Sequence, residues 1–462
     1  MHRPARPAVA FAFVLSVVAA RTAAAQTEPP ADTATVPAAS AQAAPAAPPA
    51  ATAPASAARP SAAAPAAPAA PPTEAVVAGV HIRLTGTVHA MTLVTQGVQS
   101  FDNATAVAPT SALNPAVFAT PDLANLSFQV QQTRLGMILG EGSPLRGQVE
   151  IDFTHFDQSS PTVQAFPRIR IASLDWNFAG EHHLFVGQTW DIFGNAIGPQ
   201  LLSHSFNLVG TLFRAGNIGF MRHQLGYHGR FGAFDLAVAT GLQGANAGPA
   251  FNNVEESLIP TGSVRLMAHL DDRSVIGASG IAAGLRFSKP DSPVQVRPAF
   301  GGELFADVTF GPLNLPAEAY MAQNLANTGA LNLGFGRYGT DVVDAGGYLS
   351  ARLTLPRTDA GEHALTAMVG GASVLDPSRV VPGYARTDPM APLGTATPTL
   401  GPGIVSNLSA HVAWWYSPLR GFSLVLEPYV YRTHFQLADT DAARLRAHRT
   451  ALGGQLGAML QF

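Results

Sequence analysis

From residue 79 to the end of the chain, apolar and polar positions take turns with a period of two, the spacing of strands that are greasy on one face and wet on the other. In the stretch RGQVEIDFTHF, Val149, Ile151 and Phe153 share one face while Gln148, Glu150, Asp152 and Thr154 share the other. A dry core does not accept two carboxylates on one strand face, so the polar side predicts a water-filled interior. The segment VHIRLTGTV sets Val80, Ile82, Leu84 and Val88 against His81, Arg83, Thr85 and Thr87, and GGELFADVTF sets Leu304, Val308 and Phe310 against Glu303, Asp307 and Thr309. VRLMAHL, GYLSARLTL, LSAHVAWWY and FSLVLEPYV alternate in the same way.

These segments separate into sixteen candidate strands whose connectors alternate in length. The long ones fall at residues 94–124, 157–167, 191–217, 244–261, 324–345, 375–403 and 435–447, with a shorter one at 289–295. Between them lie GEGSPL, AGE, RFG, DDR, GP, PRTDAGE and SPLRG, made of the residues that tight turns require. An even-numbered antiparallel barrel with turns at its periplasmic end and loops at its outer end fits this layout, so the fold class expected is an all-β transmembrane antiparallel β-barrel. Apolar parity flips near Gln131-Gln132 and near Ala172-Ser173, which predicts a bulge or a break in pairing at each.

Composition narrows the class. Only 12% of the 462 residues are charged, yet beyond the first twenty residues no apolar run reaches the ~18 that a membrane helix needs. A mean hydropathy of +0.16 fits strands whose lumen residues dilute the apolar ones. A net charge of -3, without basic runs, argues against nucleic acid as a partner. Having no cysteine, the chain has no disulfides, thiolate metal sites or thiol nucleophiles.

The first quarter reads differently. Residues 1–25 carry Arg3 and Arg6, an apolar stretch from Ala8 to Ala20 and then Ala23-Ala24-Ala25, the layout of a secretory signal peptide cut after Ala25. Residues 26–78 are dominated by Ala, Pro, Ser and Thr and predict a disordered, extended periplasmic linker. The barrel domain is then 79–462.

The last strand is the most specific local signal. In TALGGQLGAMLQF the positions Leu452, Leu456, Ala458, Leu460 and Phe462 form an apolar row, and the chain ends on that phenylalanine. A closing strand of this kind resembles the signal by which bacterial barrel-assembly machinery recognises its clients. Thr133-Arg134-Leu135-Gly136 resembles a motif of the second strand of Gram-negative porins. Together with RIRIASLDWNF, LFVGQTWDIFG, MRHQLGYHGRF and NLSAHVAWWYSPLRGFSLVLEPYVY, taken in order, it resembles the DcaP-like outer-membrane porins over roughly residues 79 to 462. The resemblance implies a sixteen-stranded barrel in outer-membrane lipid, a homotrimer, and passage of small anionic solutes such as dicarboxylates. Members of that family often carry a coiled-coil segment before the barrel; an Ala/Pro tract stands there instead.

The resemblance also implies that the third external connector, 191–217, folds into the lumen as a constriction, bringing Asp191, His204, Asn207 and Arg214 with it. Arginines expected to point inward are Arg134, Arg168, Arg170, Arg222, Arg230, Arg265, Arg286, Arg352 and Arg449, facing Glu150, Asp152, Glu303 and Glu427. Guanidinium is permanently charged and matches carboxylate geometry, so this set predicts anion preference; salt bridges bracing the wall are the competing role. The pore-lining set at the constriction is then Arg134, Arg168, Arg170, Arg222, Arg230, Glu150, Asp152, Asp191 and Arg214. Trp176, Trp190, Trp414, Trp415, Tyr416 and Tyr431 are expected in interfacial girdles. Ser203-His204, His155 and His182-His183 complete no triad or metal-ligand spacing, so no catalytic residue, metal or cofactor is expected. A closed barrel serving as an anchor or adhesin through its loops is the alternative function.

Overall fold

In the computed structural model the described residues are 74–77, 79–100, 103–106, 124–130, 132–157, 164–194, 198, 201, 215–242, 259–287, 295–325, 331, 341–379, 404–436 and 446–462. The expected signal peptide, nearly all of the expected linker and most of the loop residues, including Ser203, His204, Asn207 and Arg214, lie outside them.

The alternating segments pair into a closed antiparallel barrel of sixteen strands. We number them β1 (Val80–Gln96), β2 (in two halves, Ala124–Gln129 and Arg134–Leu139), β3 (Leu145–Asp157), β4 (Gln164–Ala179), β5 (His182–Gly194) and β6 (Gly219–Phe231). They continue as β7 (Phe234–Gly241), β8 (Thr261–Asp271), β9 (Ser274–Phe287), β10 (Gln295–Phe310), β11 (Leu313–Gln323) and β12 (Val343–Thr354). The last four are β13 (Glu362–Val374), β14 (Ile404–Leu419), β15 (Phe422–Gln436) and β16 (Arg446–Gln461). Each strand pairs with the next, and β16 returns to β1 from Thr87↔Gln461 to Gln96↔Leu452. Phe462 completes that seam by donating its N–H to the Gly86 carbonyl at 3.2 Å and accepting the Gly86 N–H at 3.1 Å. Closure leaves no open edge in the hydrocarbon, where an unpaired peptide group costs several kcal/mol.

The distribution of side chains is the reverse of a soluble protein. Leu84, Val88, Leu135, Leu225, Leu304, Leu365, Leu408 and Leu456 stand exposed on the outer wall, while Asp152, Arg170, Glu303, Glu318 and Glu427 are buried inside. Trp176, Phe178, Phe231, Phe234, Phe310, Trp414 and Phe462 are exposed near the short-turn end and form the expected girdle there, with Trp414 stacked on Tyr416 at 6.2 Å between centroids. Trp415 and Tyr431 depart from that expectation. Both are buried on the inner face, at 6% and 1% exposure, because their parity is opposite to that of Trp414 and Val430.

Both parity flips have a structural cause. At the first, β2 breaks at Val130 to Thr133, and the Thr133 N–H bonds the Val130 carbonyl at 3.0 Å. The Thr133 hydroxyl then serves the neighbouring strand in place of a ladder, accepting from His89 N at 3.2 Å and donating to His89 O at 3.3 Å. At the second, Ile171 pairs with Glu150 and Ile169 with Ile151, so Arg170 is the extra residue of a bulge, close to the predicted position. On the linker side of the expected domain boundary, Glu74–Val77 forms a short strand on β1, from Glu74↔Arg83 to Val77↔Val80. No helix among the described residues is long and apolar enough to cross a membrane.

Candidate functional site: the constriction and its vestibule

The described residues of the third connector, 191–194, 198, 201 and 215–217, lie in the lumen. Its beginning is the end of β5, where Ile192 and Phe193 are buried, and its far end is the segment 215–218, where Ala215 and Ile218 have no exposed surface. Phe193, Ala215 and Ile218 join a cluster with Ile281, Ala299, Tyr320 and Leu325 from the inner faces of β9 to β11 and the residues beyond. Leu201, from the middle of the connector, packs with Tyr348, Met368 and Trp415 of β12 to β14. Phe193, Leu201, Ala215 and Ile218 of the connector between β5 and β6 therefore lie against strands on the opposite wall. Apolar side chains inside an otherwise wet barrel are explained by this loop: they bury one another as a small core would.

Two buried carboxylates fasten it. Glu318 on β11 accepts the backbone N–H of Ile218 at 3.0 Å and the side-chain amide of Asn217 at 3.1 Å. Glu303 on β10 accepts the Gly194 N–H at 3.0 Å and the Ser279 hydroxyl. Gly216 lies so close to the wall that a Cβ there would stand 2.0 Å from the Gly347 carbonyl oxygen, and its φ of +104° is one that side chains rarely adopt. Sequence reasoning placed Glu303 inside but overlooked Glu318. The alternation of LNLPAEAYMA carries it, since Glu318 shares its parity with Tyr320 on the inner face.

Five of the expected pore-lining residues converge on β2 to β4. Arg168 grips Asp152 with two prongs, Nη2 to Oδ2 at 2.7 Å and Nε to Oδ1 at 3.0 Å. The bulge turns Arg170 onto Glu150 at 2.8 Å and Asp152 at 3.5 Å, with its guanidinium 4.9 Å from the centre of the Trp190 ring. Arg134 faces Asp152 across the β2–β3 ladder. Three guanidinium groups against two carboxylates leave a formal excess of one positive charge. Arg134, Arg170 and Asp152 are buried, and Arg168, its side chain 40% exposed, is the arginine of the group that reaches open space. The neighbouring pair, Asp191 on β5 and Arg222 on β6, is also buried; Asp191 accepts the Ser263 hydroxyl at 3.0 Å besides the Arg222 guanidinium. Arg134, Arg170 and Arg222 thus sit within the wall network, where their charge acts on the lumen without direct contact.

Between the described connector residues and the short-turn end lies a cavity of about 1130 Å³. Trp190 and Asp191 form its upper rim, and Arg146, Arg230, Arg265 and Arg352 line it with Asp175, Glu181, Asp191 and Asp235. Arg230 is therefore apart from the arginine cluster, and Trp190 belongs to the lumen rather than to a girdle. Most of these carboxylates are held by partners in the wall: Asp191 by Arg222, Asp235 by His269 at 2.6 Å, and Asp175 by His183 and His228. Among the described residues, no carboxylate stands within ion-pairing distance of Arg146, Arg265 or Arg352; Arg352 rests on the Trp415 ring at 5.1 Å.

A sixteen-stranded barrel with short turns at one end, long connectors at the other and its third connector folded inside has the fold of Gram-negative outer-membrane porins. No protein-family model matches the chain, and no curated protein matches it. Solved structures do. The outer-membrane channel DcaP of Acinetobacter baumannii is similar over 83% of this chain and 98% of its own, with a TM-score of 0.60 and 17% identity. OprB of Pseudomonas putida, in a high-pH structure, is similar over 82% of this chain and 94% of its own, with a TM-score of 0.50 and 12% identity. At the level of fold, the chain is DcaP-like.

Proposed function

We propose that this protein is an outer-membrane channel through which small hydrophilic solutes diffuse, with a preference for anions of the dicarboxylate class. The observation that carries the reading is the cavity inside the barrel, lined by ionisable groups beneath connector residues that Glu303 and Glu318 anchor to the inner wall. The anion preference rests on Arg146, Arg265 and Arg352, whose charges face the cavity, and on the surplus guanidinium of the cluster around Asp152. A carboxylate solute meets fixed positive charge there, whereas most of the cavity's own carboxylates are already engaged. The name of the similar Acinetobacter protein, an outer-membrane channel, agrees with the channel reading. In the same picture the chain is exported by its N-terminal signal, assembled through its closing strand and Phe462, and associates as a homotrimer.

The test is conductance of refolded protein in planar bilayers. Stepwise channels whose reversal potential in a chloride gradient favours the anion support the proposal. Silence from a closed, correctly folded barrel would assign it instead to anchoring or adhesion through its loops, and cation preference would overturn the anion reading alone.

A further inference from the structure

On the vestibule wall, three side chains from three adjacent strands aim their donor atoms at one point. His183 on β5 and His228 on β6 are direct cross-strand partners, and their rings stack with centroids 4.4 Å apart and planes 13° from parallel. Asp175, one strand over on β4, reaches both: its Oδ1 lies 2.6 Å from His183 Nδ1 and its Oδ2 3.1 Å from His228 Nε2. All three donor atoms fall within 4.8 Å of one another, and all three residues line the cavity. The side chains are 31%, 24% and 45% exposed in the order Asp175, His183, His228, so water reaches them.

The geometry points to a divalent transition-metal site, of the zinc class, made by Asp175, His183 and His228 and entered from the vestibule. Two imidazoles and one carboxylate are the ligand set that such ions favour over the all-oxygen shells of magnesium and calcium. Ligand atoms bound to one zinc ion at about 2.0–2.2 Å stand about 3 to 3.5 Å from each other; the 3.1 Å separation from Asp175 to His228 already lies in that range, the 2.6 Å one to His183 must open by about half an ångström, and the remaining one lies within 4.8 Å. The cavity leaves the remaining coordination positions to water. Asn177 stands at the far side of the His183 ring, its amide nitrogen 3.3 Å from Nε2 while donating to the Gly180 carbonyl. In the ion's absence the same groups form a hydrogen-bonded triad, with Arg146, the ladder partner of Asp175, lining the same wall. The site depends on the barrel fold and not on what the channel conducts.

The experiment uses the full chain refolded in detergent and zinc alone as the probe, followed by isothermal titration, with cobalt absorption as a second readout of imidazole and carboxylate ligation. Wild type is expected to take up one zinc ion per chain. His183→Ala with His228→Ala, and separately Asp175→Asn, is expected to weaken uptake by at least about tenfold, the loss typical of disturbed metal shells. The other stacked pair, His434 and His448 at 4.0 Å, serves as the control, and its double alanine variant is expected to bind as wild type. Heat-modifiable gel migration reports folding of each variant. No stoichiometric uptake by wild type, or equal uptake by a folded Asp175 or His183/His228 variant, overturns the site. Should the double variant not fold, the Asp175→Asn titration and the wild-type cobalt spectrum decide it.

Discussion

Gly216→Ala is the sharpest probe of the internal loop. The added Cβ would begin 2.0 Å from the Gly347 carbonyl and 2.9 Å from the Gly371 nitrogen, where ordinary contact starts at 3.4 Å. Both are backbone atoms of the wall, so the loop must retreat. A side chain at φ +104° adds strain of about 1 to 3 kcal/mol. Retreat also stretches the bond from Ile218 N to Glu318 beyond its 3.0 Å; hydrogen bonds to charged acceptors contribute about 1.5 to 3 kcal/mol. Opposing this, Phe193, Leu201 and Ile218 each hold the loop by about 1.5 to 3 kcal/mol of apolar burial. The two sides are comparable, so the variant is expected to alternate between docked and lifted loops while the barrel, whose ladders are untouched, stays intact. Single-channel recording should show higher mean conductance and greater open-channel noise than wild type, with unchanged gel migration. Wild-type conductance and noise from a folded Gly216→Ala barrel would refute the docking described here.

Glu318→Ala removes the acceptor for both Ile218 and Asn217 and should raise conductance in the same direction, while Glu318→Gln, which keeps an acceptor oxygen, should change it less; bilayer recording separates the two. Arg168→Ala removes an exposed lumen charge and should lower the anion-to-cation permeability ratio by about sevenfold, since a unit charge about 7 Å away in water favours an anion and disfavours a cation by about 0.6 kcal/mol each, read as a reversal-potential shift. Asp152→Asn should move the same ratio the opposite way and, by weakening the hold on Arg168 and Arg170, lower resistance to thermal unfolding. Deleting Phe462 removes two backbone hydrogen bonds from the seam and should slow the appearance of the folded band on refolding into vesicles. Glu141, in the turn after β2, has its carboxyl pKa lowered mainly by its hydrogen bond with Arg83, so whatever that pair contributes is present above the ordinary carboxylate range and lost as pH falls through the lowered value; acid melting curves of Glu141→Gln should converge with wild type there.

The barrel was legible because a wall between lipid and water forces a strict two-residue rhythm, and Leu452, Leu456 and Leu460 against Ala451, Gln455 and Met459 keep it to the end. Breaks in rhythm were equally readable: Gln131-Gln132 and Ala172-Ser173 marked places where the ladder stops or bulges within two residues. The site was legible in kind but not in placement. Alternation assigns Arg134, Arg170 and Arg222 to the inner side, yet cannot say that neighbouring strands and Trp190 cover them. Trp415 and Tyr431 show the opposite limit, since aromatic type suggested a girdle while parity, the stronger physical constraint, placed them inside. Glu318 and the convergence of Asp175, His183 and His228 depend on register between strands, a relation that no single segment contains.

The pairing of β1 with β16 joins the first transmembrane ribbon to the last, Val88 to Leu460. Such a join spans almost the longest sequence separation available in the domain, so it cannot form until the whole polypeptide has been delivered. Ring closure is therefore the concluding event of biogenesis, and a truncated product lacking its final ribbon would remain an open sheet with two sticky margins, a substrate for proteolysis or clumping rather than a smaller pore.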